Sequence, residues 1–247
     1  MKIALILIFF YSLCEAIITI VPEVIGEEPG LSGRVEAGLE TKRGNTDSDN
    51  YKLAIRIKYD TNDTYLIWGE MSGSYAKANG EVNTQKSFTH IRYVNKTYLD
   101  YLDFEILAQS TTNEFTKVKR RLLGGGGVRF HRLDDSFGNL FFGLGAFYEY
   151  ISYIEDIDPT ESQTRINSYI AYTKELGEHS KIAYVGYYQP KVSDFEDFVA
   201  SNAIVLTVLI YEQIYINFKI YYDYDSKPAL DVEKYDLSQV TSFIYKF

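Results

Sequence analysis

The chain has 247 residues, a net charge of −9 and an aromatic fraction of 16%, carried by 23 Tyr and 15 Phe against one Trp and two Met. The negative charge excludes a nucleic-acid partner bound through a basic surface, and the aromatic content excludes a disordered chain. A single cysteine excludes a disulfide framework and a thiolate metal site.

The first residues read as a secretory signal. Lys2 is a minimal positive start, Ile3 to Leu13 is an apolar run, and Cys14-Glu15-Ala16 fits a small-x-small cleavage site after Ala16. The run is too short for a spanning helix, which needs about 20 apolar residues. A lipoprotein would use Cys14, but Leu13 stands where a small residue is wanted. Residues 17–30 then form a short periplasmic lead-in. The next longest apolar stretch, Val199 to Tyr211, is interrupted by Ser201, Asn202 and Thr207.

From residue 31 onward the pattern is alternation with period two, the signature of strands. Leu31, Gly33, Val35, Ala37 and Leu39 share one face, with Arg34, Glu36 and Glu40 on the other. Tyr51, Leu53, Ile55, Ile57 and Tyr59 oppose Lys52, Arg56 and Lys58. Leu102, Phe104 and Ile106 oppose Asp103 and Glu105, and Leu122, Val128 and Phe130 oppose Arg121 and Arg129. Leu140 to Tyr150 opposes its even, apolar positions to Gly143, Gly145 and Glu149, and Ile214 to Tyr224 repeats the pattern against Asn217, Lys219 and Asp223. The stretches near 64–76, 86–98, 181–190 and 199–211 are extended, with their facing left open. Connections near 43–49, 77–86, 111–117, 154–164, 190–197 and 225–233 read as longer and polar; most of those between read as short.

About twelve strands result, the even number of a single-chain outer-membrane barrel. A soluble sandwich or lipocalin-like barrel also alternates. Its enclosed face is the apolar one, however, whereas here the polar face carries too many charges for a small closed core. The reading is therefore an all-β fold, a transmembrane antiparallel up-and-down β-barrel over residues 31–247 in a bacterial outer membrane. Closure in lipid requires the final strand to pair with the first. Phe243, Tyr245 and Phe247 alternate at the C-terminus and resemble the insertion signal read by the barrel assembly machinery. The expected partners are that machinery and outer-membrane lipid, with no nucleic acid, and a monomer.

The hairpin GRVEAGLETKRGNTDSDNYKLAIRIKYD, with its Gly44-Asn45-Thr46 turn, resembles the bacterial family of salt-induced outer membrane proteins, a barrel domain of unknown function. The Gly-rich RRLLGGGGVRF and the following LFFGLGAFYEY resemble the same family. The resemblance implies fold and location; it brings no catalytic residues.

Inward-facing candidates are Arg34, Glu36, Glu40, Lys52, Arg56, Lys58, Asp103, Glu105, Arg121, Arg129 and Glu149. They form either a self-neutralising network that fills the lumen or a charged constriction that filters ions and small solutes. Gly125, Gly127, Gly143 and Gly145 line one inner patch and make room for bulky neighbours or for a passage. Gly124 to Gly127 lacks the following Gly-Lys-Ser/Thr of a phosphate loop. Asp47 and Asp49 resemble half a calcium loop without its distal Glu. Neither a metal nor a cofactor is implied. The leading function is envelope integrity or limited passage of ions and small solutes. The alternative is a lipid or peptide hydrolase at the extracellular rim, resting on acidic residues of the loops and on His90, the one histidine of His90, His131 and His179 that could approach that rim.

Overall fold

The computed structural model describes residues 20–42, 48–78, 81–114, 117–133, 136–154, 160–229 and 234–247. The expected signal, Cys14 and Asp47 lie outside these residues. Twelve strands follow in order: β1 (Gly30–Lys42), β2 (Ser48–Asp60), β3 (Tyr65–Ala78), β4 (Glu81–Lys96), β5 (Leu102–Asn113), β6 (Val118–Arg132), β7 (Asn139–Tyr153), β8 (Glu161–Glu175), β9 (Ser180–Lys191), β10 (Asp194–Tyr211), β11 (Ile214–Asp225) and β12 (Tyr235–Lys246).

Every strand pairs antiparallel with its sequence neighbours, and β1 pairs with β12, so the sheet closes. The seam aligns Arg34 with Lys246 through Leu39 with Thr241. It ends in a reciprocal pair, the Gly33 N–H donating to Phe247 O at 2.8 Å and the Phe247 N–H to Gly33 O at 3.0 Å. A Cβ at Gly33 would stand 2.6 Å from the Phe247 ring, so that ring needs a glycine there. Closure leaves no sheet edge in the hydrocarbon, where an unpaired backbone group costs several kcal/mol.

The outer face is apolar. On β2, Leu53 is 62% exposed and Ile57 49%, while Arg56 and Lys58 between and beside them are 7% and 5% exposed. A soluble protein would reverse this; a lipid-facing wall requires it. Aromatics frame the band at both ends. Tyr59, Tyr101, Tyr245 and Phe247 mark the end that carries β1's start and β12's finish, here the terminal end. Tyr51, Tyr148, Tyr188 and Tyr222 mark the opposite, loop end. The chain is a transmembrane β-barrel of twelve strands.

Two connections differ from expectation. Longer loops were expected near 77–86 and 190–197, but β3 runs to Ala78 with β4 starting at Glu81, and β9 runs to Lys191 with β10 starting at Asp194. These hairpins extend past the aromatic frame as ribbon. Register shifts at Ala76/Lys77 and at Asp194/Phe198 absorb the extra residues as bulges. The polar residues that suggested loops belong largely to strands.

Candidate functional site: the occupied lumen

The four stretches of open facing are settled by burial. Leu66, Trp68, Phe88, His90, Arg92 and Val94 turn inward from β3 and β4, and Val185, Tyr187, Val199 and Ser201 from β9 and β10. The inner wall is thus partly apolar. The reason is what it packs against.

Residues 17–30 were expected as a periplasmic lead-in. Of these, Ile20–Ile25 lies inside the barrel and residues 26–29 follow at its terminal mouth. Ile20 and Ile25 are buried against Leu66, Trp68, Phe88 and Val94. Val21 and Val24 pack on the cluster of Phe141, Tyr169, Ala171, Val185, Tyr187 and Ala203. Polar contacts reach strands far apart around the wall. The Tyr187 hydroxyl donates to Ile20 O at 3.0 Å, Arg129 Nη1 to Glu23 O at 2.8 Å, and the Gly26 N–H to Asp60 Oδ2 at 2.8 Å. Strands β2, β6 and β9 share one short segment only if it occupies the interior. Gly26 turns the segment at the terminal mouth with φ +87°, and a Cβ there would meet the Asn62 carbonyl oxygen at 2.6 Å. Only glycine fits both demands.

Glu23 is the segment's inward charge. Its Oε1 accepts from Arg56 Nη1 at 2.5 Å, and Lys58 Nζ stands 3.6 Å from Oε2. Burial alone would push this carboxyl up; the charges of Arg56, Lys58 and Arg34 outweigh it and hold the pKa at about 2. Glu28 accepts from Lys58 at 2.6 Å. Burial raises that carboxyl too, and the Lys58 hydrogen bond and charge pull it below its ordinary value. Glu27 pairs with Lys181 at 2.8 Å.

The other inward candidates fall into local networks. Arg56 Nε also donates to Glu70 at 2.7 Å, and Arg34 stands 3.6 Å from the same carboxylate. Glu36 accepts from Lys219 Nζ at 2.5 Å and from the Ser242 hydroxyl at 2.8 Å. Lys52 lies 5.9 Å from the Tyr221 ring centre. Asp103 accepts from Arg129 Nη2 at 2.6 Å and faces His131 Nδ1 at 3.1 Å. Glu105 faces Arg92 at 3.4 Å and accepts from the Tyr169 hydroxyl at 3.1 Å. Toward the loop end Glu149 holds Arg121, Arg165 at 2.9 Å and Gln163 at 2.9 Å, and Arg165 reaches Asp197 at 2.8 Å. The Glu40 side chain is outside the described set.

The glycines of the inner patch serve two kinds of close contact. A Cβ at Gly143 would stand 2.0 Å from the Tyr169 ring, which lies directly over it. Gly125, Gly127 and Gly145 instead let β6 and β7 approach, with a Cβ at Gly127 falling 2.6 Å from Gly145 Cα. Phe243, Tyr245 and Phe247 point outward, and the last two stack at 6.4 Å.

His90 does not reach the rim. It is buried in the wall between Trp68 at 4.8 Å and Phe88 at 6.0 Å, both in the cluster that holds the segment. His131 and His179 lie at the terminal end, His131 near the end of β6 and His179 in the β8–β9 turn. The rim hydrolase therefore loses its one named residue.

The partners Glu70, Arg92, Arg165, Asp197 and Lys219 were absent from the sequence candidates, as was Glu23. The first two sat on strands of open facing. The signal for Glu23 was present: Ile20, Val21, Val24 and Ile25 are too apolar for a solvated lead-in.

Between the segment and the wall formed by β1–β3 and β8–β12 lies a cavity of about 180 Å³. A second of about 180 Å³ lies on its other side, toward Asp103, Arg129 and His131. The segment thus divides the terminal half of the lumen.

The barrel is similar in fold to solved outer-membrane structures. An outer membrane channel from Pseudomonas putida F1 matches at 7% identity over 93% of this chain and 100% of that one, with a TM-score of 0.56. The translocator domain of the autotransporter NalP from Neisseria meningitidis matches at 10% identity over 90% of both chains, with a TM-score of 0.50. No curated protein matches the sequence. The model of one family, described as protein of unknown function DUF481, matches residues 35–247, nearly all of the barrel, and the chain belongs to that family.

Proposed function

We propose that this protein is an outer-membrane barrel, with its terminal end toward the periplasm, that passes ions or small solutes when the inward segment leaves the lumen. The observation that carries the reading is the way Ile20–Pro29 is held. It is bound to a wall that is closed by its own strand pairing and needs no contribution from the segment. Its anchors are a few ion pairs, three hydrogen bonds and two small apolar clusters. Such a contact set can be released without unfolding the barrel. Lipid covers the outer band, and the alternating Phe243, Tyr245 and Phe247 support insertion by the barrel assembly machinery as a monomer. The resemblance to the salt-induced outer membrane protein family is checked by transcript levels at raised salt.

Planar-bilayer recording tests the reading. The parent protein should be closed most of the time with brief discrete openings. Asp60→Ala, which removes the acceptor of the Gly26 N–H, should lengthen them. Silence from both proteins, with insertion verified by heat-modifiable mobility on gels, would overturn passage in favour of a structural role in the envelope.

A further inference from the structure

The charges around the first cavity are unequal, and the segment supplies most of the carboxylates that oppose its cations. Arg34, Lys52, Arg56 and Lys58 line it from β1 and β2, Lys181 from β9, and Lys219 and Lys246 from β11 and β12. Five carboxylates face these seven cations: Glu36 and Glu70 from the wall, and Glu23, Glu27 and Glu28 from the segment. The wall carboxylates are committed to wall partners, Glu36 to Lys219 and Glu70 to Arg56 and Arg34. Lys58 and Lys181 instead draw on the segment, Lys58 through Glu23 and Glu28, and Lys181 through Glu27 as well as Glu175. Lys246 stands 3.8 Å from Glu28.

Across the lumen the charges behave differently. Arg129 pairs with Asp103, Arg92 with Glu105, and Arg121 and Arg165 with Glu149 and Asp197, all wall to wall. Departure of the segment leaves those pairs neutral. It strips three carboxylates from one side only.

Resting on the proposed passage function, we infer that the opened lumen selects small carboxylate anions, and that Glu23 occupies in the closed state the place where such a solute binds. The Glu23 carboxylate takes one guanidinium N–H of Arg56 and lies beside the Lys58 ammonium. With Glu70 holding Arg56 Nε and Nη2, the remaining guanidinium N–H and the neighbouring ammonium make a carboxylate receptor, a directed donor for orientation beside a point charge for strength. The segment is then a tethered carboxylate competing with free ones. A charged constriction with low-dielectric walls raises the local concentration of the opposite sign.

The test uses full-length chain carrying Glu23→Gln in a planar bilayer under a potassium succinate gradient. The reversal potential should follow succinate, with permeability exceeding that of potassium several-fold. Adding Lys58→Gln and Lys181→Gln should bring the ratio toward unity, and heat-modifiable mobility would verify that this variant is folded. A reversal potential that follows potassium in the Glu23→Gln protein, or a ratio that the two lysine substitutions leave unchanged, would overturn the inference while leaving passage itself standing. Absence of any current in parent and variant alike would instead remove the passage function on which it rests.

Discussion

Replacing Glu23 by Gln asks whether charge holds the inward segment. Burial disfavours the ionised carboxyl, yet Arg56, Lys58 and Arg34 bring its pKa from an ordinary 4.5 to about 2. That displacement corresponds to roughly 3 kcal/mol of net attraction between ionised Glu23 and its surroundings. A carboxyl whose pKa falls on docking contributes fully above its undocked value and loses that contribution as pH falls toward the docked one. The docking energy from Glu23 is therefore complete at neutral pH and declines from about pH 5 toward about pH 2. Glu28, also held low, adds a loss of the same sign. Hydrogen exchange measured by mass spectrometry in detergent micelles, corrected for intrinsic rates, reads the result. At neutral pH the Glu23→Gln protein should lose roughly a hundredfold of protection over residues 20–28, each tenfold being about 1.4 kcal/mol. The parent should lose about thirtyfold on going to about pH 3. The wall strands should keep their protection in both. Equal protection of the segment in parent and variant at neutral pH would refute the electrostatic account and leave the apolar clusters as the whole anchor.

Other perturbations probe the wall. Ile55→Arg, in the middle of the outer band, should cost about 2–4 kcal/mol in guanidinium unfolding from micelles, while Tyr51→Arg at the aromatic frame should cost about 0–1 kcal/mol; equal costs would place the band elsewhere. Lys219→Met leaves the Glu36 carboxylate buried without its cation and should destabilise by about 3–5 kcal/mol, with much of the loss recovered in Lys219→Met/Glu36→Leu, read by the same unfolding assay. Gly143→Ala drives a methyl into the Tyr169 ring and should cost about 1–3 kcal/mol. Tyr169→Ala in the same chain should make the Gly143 substitution nearly neutral, which a double-mutant cycle measures.

How much of this was legible follows from what each face touches. On β2 the lumen side meets ions and the outer side meets lipid, so Arg56 and Lys58 alternate cleanly with Leu53, Ile55 and Ile57. On β4 the lumen side meets Ile20 and Ile25, so Phe88 and Val94 are apolar inward while Ile91 is apolar outward. A strand apolar on both faces has no period to read. Val199 and Ala203 on β10 blur that strand for the same reason, packed into inner clusters. Ambiguity in the sequence thus fell on strands that line an occupied interior. Individual ion pairs were not legible at all. Lys219 meets Glu36 across 183 residues of chain, and only closure of the sheet makes them neighbours.

The path of the inward segment also bears on the order of assembly. Ile20–Pro29 precedes β1, yet it bonds to Tyr187 on β9, 167 residues later in the chain. Contacts of such separation form late, because loop closure must be met before they return anything. Docking of the segment is therefore a later step than pairing of the strands it touches, and one separable from closure of the wall. The inner faces of β3, β4, β8 and β9 must stand side by side before Ile20, Val21, Val24 and Ile25 have anything to pack against.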